Sequence, residues 1–183
     1  MTELLARVRL LALDVDGTLT DGTITFHGGD NETKTFHVHD GLGMVMASLV
    51  GLRTVWITGR VSAVTERRAR ELGVAHLRQG VRDKATALAE VAALLSVPLA
   101  ETAFMGDDWN DLPAFAVAGV RIAPANAAPE LLDAAHFVTP RPGGQGAVRD
   151  AIVAILTARG QLGAARTLYL ASLSAPATGT AGQ

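Results

Sequence analysis

The stretch Leu10-Leu11-Ala12-Leu13-Asp14-Val15-Asp16-Gly17-Thr18-Leu19-Thr20 constrains this chain more than any other. Its apolar first half reads as a strand buried on both faces, the kind found inside a parallel sheet. It then breaks into two aspartates, a glycine and two threonines. In an open α/β sheet, ligands bind in the crevice beyond the C-terminal strand ends, which is where both carboxylates fall. Two negative charges so close together are unfavourable unless a cation neutralises them, and hard carboxylate oxygens suit magnesium. A lone Asp-x-Asp would be read as an Asx-turn and helix cap. Its place directly after such a strand makes it a candidate site.

The remaining chain repeats the alternation. Strands are expected at about 8–15, 53–57, 75–77, 102–105, 120–123 and 136–138. Helices are expected at about 42–50, 62–72, 83–95, 112–118, 128–134 and 147–160. Strands alternating with helices imply an α/β fold with a doubly wound parallel sheet. Between the first strand and the first helix, β-branched segments flank Gly28-Gly29-Asp30-Asn31-Glu32, which predicts a β-hairpin over about 21–38. Only this hairpin fills that gap, and the 25 residues between Thr58 and Lys84 are taken up by one helix and one strand. Neither place leaves room for a cap domain. A single domain over 1–160 and a C-terminal extension over 161–183 are expected. The last ten residues, rich in Ala, Gly, Thr and Pro, are expected to be disordered.

Polar residues gather at four strand ends: Asp14 and Asp16 after the first, Thr58-Gly59-Arg60 after the second, Lys84 after the third, and Asp107, Asp108 and Asp111 after the fourth. Lys34 and Lys84 are the only lysines among 16 basic residues, so each lysine in this arginine-using chain calls for a reason. Plainer readings stand beside these. Thr58 and Asp111 are also placed to cap the helices that follow, Lys84 to be a solvated helix residue, and His37 and His39 to be half-exposed hairpin residues. The absence of cysteine excludes disulfides, thiolate metal sites and a cysteine nucleophile. A net charge of −2 argues against a nucleic-acid or anionic-membrane surface. No run approaches the ~18 apolar residues of a membrane span, and Met1-Thr2-Glu3 does not open a signal peptide. A cytoplasmic protein is expected.

Taken together, Asp-x-Asp-Gly-Thr, Thr-Gly, a lone Lys and Gly-Asp-Asp-x-x-Asp resemble the motifs of the haloacid dehalogenase-like phosphohydrolases over roughly 8–155. The resemblance implies a Rossmann-like core and a magnesium-dependent phosphatase. Asp14 would be the nucleophile that forms an aspartyl-phosphate. Asp16 would protonate the leaving alcohol and then deprotonate the attacking water. An aspartate at this second position is similar to the phosphatases; the related ATPases carry threonine there. Magnesium would be held by Asp14, the main-chain carbonyl of Asp16 and Asp107, with Asp108 a further ligand or an acceptor through water. Thr58 and Lys84 would bind phosphoryl oxygens, and Asp111 would orient Lys84.

The hairpin, Val38-His39-Asp40-Gly41-Leu42-Gly43 and Gly143-Gly144-Gln145-Gly146-Ala147-Val148-Arg149 are similar to the 3-deoxy-D-manno-octulosonate 8-phosphate phosphatases and their nonulosonate 9-phosphate relatives. This implies a sugar-acid phosphate as substrate, met by Asp16, His39, Asp40, Gly41, Gly59, Arg60 and Arg68. It also implies a homotetramer assembled through the hairpins, in which a neighbouring subunit closes each site. Phe26, Phe36 and Ile24 would lie partly in that interface, or else pack on their own core. Arg60 resembles the octulosonate enzymes, whereas the nonulosonate ones tend to carry Glu there. Two departures stand out. His37-Val38-His39-Asp40-Gly41 occupies the place of a typical Asn-Val-Arg-Asp-Gly, and Val45 replaces a second arginine. An arginine fork holds a carboxylate through two bonds and a histidine through one. Alternatives are a nonulosonate 9-phosphate or other sugar phosphate, a phosphoprotein or other macromolecular substrate, and a non-catalytic binding module. The two aspartates Asp14 and Asp16 argue against the last.

Overall fold

The computed structural model describes residues 1–28 and 32–174. The first elements are α1 (Thr2–Ala6), β1 (Leu10–Leu13), β2 (Thr25–Phe26), β3 (Glu32–Thr33) and α2 (Val38–Leu49). There follow β4 (Arg53–Ile57), α3 (Ala63–Glu71), β5 (His76–Arg78), α4 (Lys84–Leu94) and β6 (Thr102–Met105). The chain continues through α5 (Leu112–Val117), β7 (Val120–Ala123), α6 (Pro129–Ala134), β8 (Phe137–Val138), α7 (Ala147–Ala158) and α8 (Leu162–Ser174).

Six strands pair in parallel in the order β5-β4-β1-β6-β7-β8, so β1 lies at the centre between β4 and β6. Strand alternation sends side chains to two cores. Leu11, Leu13, Trp56, Met105 and Ile122 pack with residues of α2 and α7 on one face. Leu10, Ala12, Val55, Ile57 and Phe104 pack with α4, α5 and α6 on the other. This is the doubly wound sheet read from the sequence. Register decides where the chemistry falls. Leu13 lies opposite both Trp56 and Met105, so the chain leaves β1, β4 and β6 at one level of one edge.

The hairpin is shorter than the sequence implied. β2 and β3 pair over two residues each, and the expected turn residues 29–31 lie outside the described residues. The segment 37–38, read as the end of a strand, instead opens α2. The His39 N–H donates to His37 Nδ1 at 3.2 Å, an N-cap that starts the helix four residues earlier than expected. Phe36 does not project outward but stacks on Trp56, with ring centroids 6.0 Å apart, while Phe26 stays exposed. Helices α1 and α8 were not anticipated. α8 lies over α2 and α7, with Ala165 buried and Leu162 and Tyr169 half-buried against the core. Ser174, placed in the disordered tail by the sequence, ends this helix, and 175–183 lie outside the described residues. No helix among the described residues is long and apolar enough to cross a membrane.

Candidate active site

The chain turns sharply as it leaves β1, and Gly17 sets the turn. It has φ +102, and a Cβ there would overlap the Asp107 carboxylate. Only glycine lets the loop after β1 approach the loop after β6 so closely. Asp14, Asp107 and Asp111 consequently lie with carboxylate oxygens within 4.8 Å of one another. Thr18 Oγ1 donates to Asp107 Oδ1 at 3.0 Å and fixes its orientation.

Lys84 is the first residue of α4, and its side chain is 1% exposed. Asp83 caps that helix by accepting from the Thr86 N–H at 3.1 Å, which aims Lys84 under the strand ends. Its Nζ donates to Asp14 Oδ1 at 2.7 Å and to Asp111 Oδ1 at 2.5 Å. The other Asp111 oxygen accepts from the Asp107 N–H at 2.9 Å and the Asp108 N–H at 3.4 Å. Asp111 is thus fully engaged in holding Lys84 and the loop. It does not cap α5 through its side chain. Asp108 is exposed, and its Oδ1 accepts from the Trp109 N–H at 2.8 Å. Thr58 does not cap α3, a role Ser62 fills. Its hydroxyl donates instead to Asp16 Oδ2 at 3.4 Å.

The electrostatics are strained towards anion excess. Burial, then the Asp111 carboxylate, push Asp14 up to about 8, although Lys84 works in the opposite direction. Burial and Asp111 push Asp107 up to about 6. Burial alone would lower Lys84, but Asp14 and Asp111 raise it. With all four carboxylates (Asp14, Asp16, Asp107 and Asp111) ionised, the two ammonium groups, Lys84 and Lys34, would leave two negative charges uncompensated, which is why Asp14 and Asp107 keep their protons to unusually high pH without a cation. That residual charge and an all-oxygen donor set fit a divalent hard cation. Because Asp111 is committed to Lys84 and the loop amides, Asp14 and Asp107 are the carboxylates free to hold it.

A second group of candidate residues lies around the start of α2. The Asp40 carboxylate is buried and accepts from the Arg149 N–H at 2.7 Å; burial raises its pKa. Gly41 faces Arg68, and a Cβ there would sit 2.6 Å from Nη2. Arg68 bonds Glu71 at 3.2 Å, and the His39 ring meets the His37 ring at 4.8 Å. Asp40 and Gly41 therefore shape this end of α2 and leave Arg68 and His39 at its surface. Gly59 is exposed beside Arg60, whose Nη2 donates to Glu32 Oε2 at 2.9 Å. Two site neighbours escaped the sequence reading. One is Glu32; the other is Lys34, whose Nζ donates to Asp16 Oδ1 from a buried position. Lys34 was marked only by its rarity.

Residues 71–152 match the family model described as haloacid dehalogenase-like hydrolase. The chain is 41% identical over 165 residues to the 3-deoxy-D-manno-octulosonate 8-phosphate phosphatase of Yersinia pestis, covering 90% of this chain and 88% of that one. It is 38% identical over 159 residues to the enzyme of the same name from Escherichia coli K12, covering 87% and 85%. The fold superimposes with TM-score 0.87 on the Moraxella catarrhalis 3-deoxy-D-manno-octulosonate 8-phosphate phosphatase in complex with magnesium ion, phosphate ion and the sugar acid; identity is 38%, covering 94% and 97%. The chain belongs to the haloacid dehalogenase-like hydrolases, and within them to the family of the 3-deoxy-D-manno-octulosonate 8-phosphate phosphatases.

Proposed function

We propose that this protein is a magnesium-dependent phosphatase that hydrolyses 3-deoxy-D-manno-octulosonate 8-phosphate in the cytoplasm. The observation that carries the reading is the buried Lys84 ammonium bridging Asp14 and Asp111 at the end of the central strand, beside Asp107 and Asp16. A carboxylate nucleophile repels an anionic phosphate, and this cluster is built to remove that repulsion. Asp14, Asp107 and the Asp16 carbonyl would hold magnesium, which when bound neutralises the phosphate charge. Lys84 and Thr58 hold phosphoryl oxygens on the other side. An Asp14 oxygen attacks phosphorus as the bond to the sugar oxygen breaks, and Asp16 gives that oxygen its proton. Water then attacks phosphorus, returns a proton to Asp16 and releases phosphate from Asp14.

Arg60 and Arg68, with His39 in place of a typical arginine, would meet the sugar-acid carboxylate, Arg60 and Arg68 leaving Glu32 and Glu71 to do so. Among the described residues no cap covers the crevice: the hairpin lies between β1 and α2, and α3 and β5 between Thr58 and Lys84. Exposed Phe26, Val38 and Val61 on this side support a homotetramer in which a neighbouring subunit covers it.

The test is magnesium-dependent phosphate release from octulosonate 8-phosphate, a nonulosonate 9-phosphate and hexose phosphates, with Asp14→Asn as the blank. A strong preference for the octulosonate is expected. Flat, weak turnover across the panel would overturn the substrate while leaving the reaction class, and release by Asp14→Asn equal to wild type would overturn the chemistry.

A further inference from the structure

The hairpin's second arm has its own inward face. Residues 32, 34 and 36 alternate with exposed Thr33 and Thr35, as an extended segment dictates. Glu32 reaches Arg60, Lys34 reaches Asp16, and Phe36 stacks on Trp56. Glu32 and Phe36 anchor the arm to Arg60 and Trp56. The lysine needs a separate reason, because burying its ammonium is unfavourable and freezing its long side chain costs about 2 kcal/mol of rotamer entropy. Lys34 is 1% exposed in its side chain, and its one ion-pair partner among the described residues is Asp16.

Both oxygens of the Asp16 carboxylate are thereby held. Lys34 takes Oδ1 and the Thr58 hydroxyl takes Oδ2, and once Thr58 turns its one proton to a phosphoryl oxygen, Lys34 is what sets the plane and reach of the carboxyl group. Thr58 alone, at 3.4 Å, is a weak tether. A general acid must lie within hydrogen-bond reach of the oxygen it protonates.

We infer that Lys34 is a positioning residue for the reaction: it holds the Asp16 carboxylate at the place where the leaving oxygen takes its proton, and does so only while the hairpin arm lies against the core. The first bond to break joins phosphorus to the sugar oxygen, the bond that forms joins phosphorus to Asp14, and the proton passes from the acid form of Asp16 to the sugar oxygen. This leaves Asp16 as the carboxylate that Lys34 holds until the attacking water returns a proton to it. Lys34 exchanges no proton and touches no reacting atom. It acts through Asp16, and the inference rests on the phosphatase reading.

The test compares wild type, Lys34→Met, Asp16→Asn and the double variant on two substrates. One is the sugar phosphate, whose alkoxide must be protonated as it leaves. The other is p-nitrophenyl phosphate, whose phenolate leaves without a proton. Lys34→Met is expected to lower kcat on the sugar phosphate by ~10²-fold, the lower end of what general acid catalysis contributes. The loss on p-nitrophenyl phosphate should be at least ~10-fold smaller, and the double variant should fall within ~3-fold of Asp16→Asn alone. Equal losses on both substrates, a change confined to KM, or additive losses in the double variant would each overturn the inference. A crystal structure of Lys34→Met reads it without any turnover. An Asp16 carboxylate swung away from Thr58 supports the role, and one that keeps its place refutes it. Wild-type phosphate release, measured in the same series, separately reads the reaction on which the inference stands.

Discussion

Removing magnesium at controlled pH tests the account of this site most directly. In the metal-free protein, burial and the Asp111 carboxylate hold Asp14 at about 8 and Asp107 at about 6, against ~4 for an aspartate in an unfolded chain. A hard cation held by both, as proposed, would need them as carboxylates, so each proton must leave before it binds. Above about pH 8 the affinity should be flat. Between about pH 8 and 6 it should fall ~10-fold per unit as Asp14 takes a proton, and below about 6 Asp107 adds a second decade per unit. From about pH 9 to 6 the loss is ~10²-fold, equivalent to about 2.7 kcal/mol. Stability of the metal-free fold runs with the opposite sign. A carboxyl whose pKa is raised on folding contributes stability present below about pH 4 and lost as pH rises through about 6 and 8. Saturating magnesium should offset that loss, by about 2.7 kcal/mol at a hundredfold excess over Kd. Calorimetric titration with magnesium at four pH values between about 6 and 9, with melting curves in chelator, measures both. Asp107→Asn should erase the lower step. A Kd that does not change from pH 6 to 9 would show the carboxylates already ionised without the cation and would refute the reasoning.

Three further outcomes are expected. Gly17→Ala drives a Cβ into Asp107 at a φ of +102, and should weaken magnesium binding at least ~10-fold by calorimetry, since strain of about 1–3 kcal/mol falls on a proposed ligand. Arg60→Ala or Arg68→Ala should raise KM for the sugar-acid phosphate ~10- to 100-fold, the worth of one charge-assisted hydrogen bond of about 1.5–3 kcal/mol, while KM for p-nitrophenyl phosphate stays within ~3-fold. Deleting 161–183 strips Ala165, Leu162 and Tyr169 from the core and should cost about 2–4 kcal/mol, seen as a lower melting temperature. An unchanged melting temperature would show that α8 adds no stability.

Where the chemistry depends on strand ends, the sequence was legible. A buried run such as Leu10–Leu13 announces its strand, and the register of a parallel sheet then brings Asp14, Thr58 and Asp107 to one edge. Lys84 and Asp111 follow because each lies within one turn of a helix that starts at that edge. Lys34 was not legible in this way. Its place depends on how a hairpin folds back, and no local spacing encodes a contact between residues 34 and 16. The start of α2 was misread because Val38 favours strands, while the cap that overrides it is a histidine ring nitrogen rather than a usual Ser, Thr or Asp side chain. Helix α8 escaped because it has little amphipathic contrast and shows its packing only through a few residues set against α2.

The central place of β1 has a consequence for how the chain comes together during synthesis. β1 has a neighbour on each side, and both partners follow it much later in the chain: Leu10 waits for Arg53 on one side and Thr102 on the other. Until β6 has left the ribosome, the Leu10–Leu13 run has an open edge that invites association with other chains. The acidic turn that follows, Asp14 and Asp16, sets two carboxylates at the end of that run, and charge beside an apolar strand disfavours such association.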